Sequence, residues 1–260
     1  MNRTFDCAVN EDILDFTYNL NLDKLIKKDF YTSPTGNFSG FDFIPATMYM
    51  NNSDGFIRGL DSVESDIKMR YGEDLNGMVR KTRILADFFV KNKIHEKYDF
   101  IIIDCPPSNN LIVQNAIFIS DFYLVPTIMD DMSTQGVHHV KYIIEETIIQ
   151  KIYNEYKILI DLAPSNSYLS FLKNGVPKMI GIIETLRRGS KIAEQMREDI
   201  DSNFKDMLFL PIISHQVYVQ ECISKGICFF PAYKSKEDSI YKAYRDIIFE
   251  LMERLDLVSY

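Results

Sequence analysis

Tyr98-Asp99-Phe100-Ile101-Ile102-Ile103-Asp104-Cys105-Pro106-Pro107-Ser108 is the stretch on which the reading of the fold turns. Phe100 to Ile103 is an unbroken apolar run rich in β-branched residues. So short a run, between a helical pattern and a turn, predicts a strand covered on both faces, as in a parallel sheet. Parallel α/β sheets carry their chemistry in loops beyond the carboxyl ends of the strands, and Asp104 stands at that end. A carboxylate there is placed to orient a magnesium-bound water or a nucleophilic water. The prolines that follow stiffen the loop and remove backbone donors. The same residues also read as a plain strand-ending turn, and taken alone they leave both readings open.

Outward from this stretch the pattern alternates. Upstream, Asp12 to Phe16 and Leu22 to Ile26 suggest short amphipathic helices, Ser33 to Asn37 a turn, and Phe41 to Pro45 a short strand. Residues 59–95 place Leu85, Phe88 and Phe89 at helical spacing, as core contacts rather than a binding stripe. Downstream, a helix is expected over Leu111 to Ile119, a strand over Phe122 to Pro126 and a helix over 134–152. Further strands are expected at Lys157 to Leu162, Met179 to Ile183 and Met207 to Ile212, with helices near 190–204 and from Ser239 to Leu255. Strand–helix alternation predicts an α/β fold with a mostly parallel sheet flanked by helices. With no internal repeat, low-complexity tract or linker, one domain over residues 1–260 is the simplest organisation.

The composition, 46% hydrophobic and 25% charged, is that of a folded chain. A net charge of −8 excludes a chain basic all over, although a local basic patch remains compatible with DNA. Cys7, Cys105, Cys222 and Cys228 lack CxxC spacing and are expected to be reduced, buried thiols. No secretory signal opens the chain, and no apolar run approaches the ~20 residues of a membrane span, so a cytoplasmic protein is expected. His95, His138, His139 and His215 form no recognised ligand spacing, and no GxSxG elbow occurs.

Tyr98 to Ser108 closely resembles the Walker B and switch II segment of the ParA/MinD branch of P-loop ATPases. The resemblance extends along the chain in order. Asn2 and Thr4 match the end of switch I, Phe43-Ile44-Pro45-Ala46 a following "LIPA", and Asn115-Ala116 with Asp121 the "NAL…AD" helix. Leu124-Val125-Pro126 with Ser133-Thr134-Gln135-Gly136 is similar to "LIPV…S-x-QG". Gly181 to Thr185 resembles the strand leading to the base-binding region, and Lys225-Gly226-Ile227, Ser235-Lys236 and Ala243-Tyr244 resemble the family's tail.

The resemblance implies a P-loop NTPase-like fold, ATP and magnesium as cofactors, and a role in plasmid or chromosome partitioning. It implies a homodimer, a ParB-like partner and non-specific DNA binding, with nucleoid or plasmid association. Asp104 would be the catalytic residue, touching the metal through a bound water. Asn2, Thr4, Pro106, Pro107 and Thr185 would lie near the nucleotide. Lys234, Lys236, Lys242 and Arg245 are candidates for a DNA patch, as are Arg187, Arg188 and Lys191. Each of these also reads as part of a solvated helix face.

The family's defining loop, KGGxGKT/S, cradles phosphates with backbone N–H groups and a helix N-terminus. Ser224-Lys225-Gly226 and Leu186 to Ser190 are the nearest Gly/basic clusters, and neither has the paired-glycine spacing. With Asn2 and Thr4 aligned to switch I, a βαβ unit of roughly 30 residues or more would precede them in a complete relative. Met1 is therefore expected to be an internal methionine or a misplaced start, and ATP hydrolysis by these 260 residues to be negligible. The alternatives are a non-catalytic protein that binds a ParA-like or ParB-like partner, and a gene remnant.

Overall fold

The computed structural model describes residues 26–29, 41–44, 69, 84–106, 109–150, 154, 177–187, 189–224 and 239–258. These belong to two compact units, one built from 1–120 and 148–176, the other from 121–147 and 177–260. The expected elements at Asp12–Phe16, Ser33–Asn37 and Lys157–Leu162 lie outside the described residues.

In the first unit, α1 (Ile84–Asn92) is followed by a 3-10 turn (Ile94–Glu96) and then by α2 (Leu111–Ile119). Leu85, Phe88 and Phe89 are buried, as their helical spacing requires. The α2 sequence LIVQNAIFI is apolar nearly all round, and seven of its nine residues are buried. Asn110 caps it by accepting from the Val113 amide at 3.1 Å. Inside the helix Asn115 is fully buried and its amide is used twice. It donates to the Leu111 carbonyl at 2.9 Å and accepts from the Leu85 amide of α1 at 3.1 Å. The expected strand at 41–45 is reduced to a single antiparallel bridge between Lys27 and Phe43.

The run 100–103 corrects the sequence reading. It is not part of a strand, and Phe100, Ile101 and Ile102 are exposed, Ile102 by 91%. Strand residues become a strand only through a ladder with a neighbour, and no described residue supplies one here.

The second unit holds the parallel sheet. Strand β1 (Phe122–Thr127) pairs with β2 (Lys178–Glu184) from Phe122↔Lys178 to Thr127↔Glu184. The register slips between Tyr123 and Leu124, whose partners are Met179 and Gly181. The expected strand at 207–212 is a third rail on the far edge of β2 rather than a full strand. Ile182 donates to the Met207 carbonyl at 2.7 Å and Phe209 donates back to Ile182 at 2.9 Å.

Both faces of this sheet are covered. On one, Val125, Ile182 and Leu208 pack with Val137 of α3 (Asp131–Tyr142) and Ala193, Ile200 and Phe204 of α4 (Lys191–Phe204). On the other, Ile183 and Phe209 pack with Ile247 of the long C-terminal helix (Ser239–Val258), with Leu124 and Leu251 alongside. Each such fully buried side chain contributes about 1.5–3 kcal/mol. Between α4 and that last helix runs α5 (Val217–Ser224), so the last helix is α6. The chain is thus a mixed fold with a parallel sheet flanked by helices, as the alternation predicted.

α3 starts three residues before the expected position because Asp130 caps it, accepting from the Ser133 amide at 2.7 Å. That bond holds the Asp130 carboxyl below its ordinary range. α3 runs on into π-helical turns over Ile143–Ile149.

Candidate functional site

Asp104 ends the exposed run 100–103 and is itself exposed, as is Pro106. Just upstream, Tyr98 anchors the segment by donating its hydroxyl to Asp42 at 2.5 Å, while the Asp29 amide donates to the other Asp42 oxygen at 3.0 Å. The Tyr98 bond, then that amide, hold the Asp42 carboxyl below its usual value. Desolvation and the same carboxylate push the Tyr98 phenol up to about 12. Cys105 departs from expectation, since it is exposed rather than buried. Desolvation of its sulfur, with the Asp104 charge beside it, pushes the thiol pKa up, so it is not an activated nucleophile.

In the second unit, the carboxyl ends of β1 and β2 lie side by side. Thr185 ties them together, its amide and hydroxyl both donating to the Thr127 carbonyl, at 2.8 and 3.1 Å. The hydroxyl expected near a nucleotide base is thereby committed to the sheet.

Next to Thr185 is a group that sequence reasoning passed over. Glu184 is completely buried, yet ends a strand of apolar residues. Its Oε2 accepts from Arg197 Nη1 at 2.7 Å, and Arg187 Nε lies 3.0 Å from Oε1. That second approach is poorly aligned, so Oε1 is paired by charge without a directed hydrogen bond. Arg197 also donates to the Phe209 carbonyl at 2.8 Å, joining α4 to the third rail. The only advance signal was a lone Glu closing the run Met-Ile-Gly-Ile-Ile, with arginines three and thirteen residues on.

Among the described residues, two of the basic candidates are already engaged. Arg187 is engaged with Glu184, and Arg245 donates twice to its neighbour Asp246, at 2.8 and 3.0 Å. Lys242 is half-buried on α6, and Lys191 is exposed at the start of α4. Asn2, Thr4, Pro107, Arg188, Lys234 and Lys236 lie outside the described residues.

A magnesium nucleotide asks for convergent phosphate donors and metal-ordering carboxylates. Among the described residues no three His, Cys, Asp or Glu side chains converge as a metal site. The N-termini of α2, α3 and α4 already carry Asn110, Asp130 and Ser190 as caps. The described residues do not by themselves fit a triphosphate.

Residues 35–158 match a family model described as an AAA domain, and that span includes the whole Asp104 segment. The chain is 30% identical over 134 residues to the chromosome partitioning protein ParA of Myxococcus xanthus, covering 50% of this chain and 38% of that protein. These matches support a ParA/Soj-type family for the matched spans. The chain is also 24% identical over 170 residues to the chromosome partitioning protein ParA of Caulobacter vibrioides, covering 65% of this chain and 55% of that one. To the sporulation initiation inhibitor protein Soj of Bacillus subtilis it is 24% identical over 133 residues, covering 51% of this chain and 44% of that one. It thus spans between 38% and 55% of the length of these relatives. Among the described residues, no helix is long and apolar enough to cross a membrane.

Proposed function

We propose that this chain is a ParA-like protein of plasmid or chromosome partitioning, in which Asp104 is the switch II carboxylate and ATP hydrolysis by the 260 residues is negligible. The observation that carries the reading is the Asp104 segment, which lies inside the family match and projects the carboxylate into solvent at the end of an apolar run. Electrostatic stabilisation of a transferring phosphoryl group comes chiefly from a phosphate cradle and its lysine. A lone carboxylate orients water but supplies none of that. Asn2, Thr4, Pro106 and Pro107 belong to the same nucleotide-facing assignment, and a homodimer and a ParB-like partner follow from the family reading. The same proposal takes residues 1–260 as one ParA-like domain.

The test is a titration of a fluorescent ATP analogue with magnesium, alongside a phosphate-release assay. The expected results are no saturable binding, turnover at background, and no change in Asp104→Ala. Saturable, magnesium-dependent binding with turnover abolished by Asp104→Ala would overturn the reading.

One observation favours a second reading, a non-catalytic adaptor for a ParA-like or ParB-like partner. Phe100, Ile101 and Ile102 form consecutive exposed apolar residues next to Asp104, a surface that protein contact would cover. Pull-down with and without ATP separates the two, because an adaptor retains its partner regardless of nucleotide.

For DNA, Lys242 and Arg245 sit on a helix that also carries Asp246, Glu250 and Glu253, in a chain of net charge −8. The proposal is weak, non-specific binding at most. Retention on a duplex column should vanish between low and physiological salt, and retention that survives physiological salt would contradict it.

A further inference from the structure

An open groove of about 830 Å³ runs between α6 and the start of β2 with its third rail. Ile180, Met207, Leu210 and Phe249 make its walls apolar, and Leu210 and Phe249 are 82% and 61% exposed. Apolar side chains so exposed within one concavity mark a docking surface. Asp206, Asp246 and Glu253 line the same groove and make its border acidic. The cation in its wall, Arg254, is already committed. It donates to the Ile180, Met207 and Leu208 carbonyls at 3.0, 3.3 and 3.1 Å and pairs with Glu250 at 2.6 Å. Asp246 holds Arg245, but Asp206 and Glu253 form no ion pair among the described residues.

Charge decides among the occupants. A second copy docked face to face would bring acid against acid, and nucleic acid or an anionic lipid surface would be repelled likewise. We infer that the groove receives an amphipathic helix of a partner protein, its apolar stripe laid on Leu210 and Phe249 and its flanking Lys or Arg residues against Asp206 and Glu253. This is helix-in-groove recognition, in which anchors at i, i+3, i+4 and i+7 fill the apolar floor. The inference stands apart from any nucleotide chemistry.

The probe is a fluorescent peptide of about 18 residues with leucines at that spacing and lysines on both flanks, titrated into the full chain. Saturable binding in the micromolar range is expected, corresponding to roughly −8 kcal/mol. Leu210→Asp, at an exposed position, should weaken it at least about tenfold, and so should the double variant Asp206→Lys, Glu253→Lys. A scrambled peptide of equal charge should bind at least about tenfold less tightly. Equal binding of both peptides, unaltered affinity in both variants, or no saturation would overturn the inference. So would a dimer, seen by sedimentation, that Leu210→Asp converts to monomer, because the occupant would then be a second copy. Thermal midpoints of the variants confirm that each is folded, and if Leu210→Asp is not, the charge-reversal pair decides alone.

Discussion

At the scale of single residues, Glu184 carries the clearest consequence. A buried carboxylate shared by Arg187 and Arg197 is costly to desolvate, and breaking the pair leaves a guanidinium without its counter-charge. Glu184→Gln should therefore lower stability by about 3 kcal/mol, read from urea unfolding of the full chain. The pair Asp42 and Tyr98 gives a pH signature. The folded phenol holds its proton to about 12, above its unfolded value near 10. Its contribution is complete below pH ~10 and is lost as pH climbs toward the folded value. Asp42 behaves oppositely: its lowered pKa adds stability above pH ~4 that disappears as pH falls through the folded value. A difference titration of phenolate absorbance between wild type and Tyr98→Phe should show this one phenol ionising near 12. An ionisation near 10 would contradict the hydrogen bond.

At the scale of elements, the slip in the β1–β2 register and the close approach of the third rail meet at Gly181. A Cβ there would lie 2.8 Å from the Met207 carbonyl oxygen and would clash with Cε2 and Cδ2 of the Phe209 ring. Gly181→Ala should destabilise by about 1–3 kcal/mol, checked by the denaturation midpoint, because backbone and a fully buried ring cannot both yield. How far such elements were legible depended on what makes each one form. α2 was read to the residue because its apolar run, its Asn110 cap and its stop at Ser120 are all local. β1 and β2 were legible as β-rich runs covered on both faces. The run 100–103 has the same composition and failed, because a strand depends on its neighbour and not on its own residues. The Glu184 cluster went unread for a related reason. It joins a strand end, a loop and a helix, and no spacing rule links positions 184, 187 and 197. Asp104 is a candidate that the sequence alone puts forward, whereas the commitment of Thr185 to Thr127 needed coordinates.

At the scale of the whole molecule, exposed apolar surface sets the behaviour in solution. Ile102 is 91% exposed next to the exposed Phe100 and Ile101, an apolar patch of the kind that favours association. Ile102→Lys should reduce concentration-dependent light scattering and leave the folding stability within about 0.5 kcal/mol of wild type, since little packing is lost. Unchanged scattering would show that the association, if any, runs through another face.

The pairing of β1 with β2 also bears on the order of events during synthesis. Residues 122–127 have hydrogen-bond partners at 178–184, and between them the chain supplies part of the other unit. A parallel ladder of this separation has no local nucleus, and loop closure must be met before any contact rewards it. On the ribosome, β1 therefore emerges with its apolar side chains bare and waits for dozens of further residues before it can pair. That interval, rather than the finished fold, is when this chain most needs a chaperone.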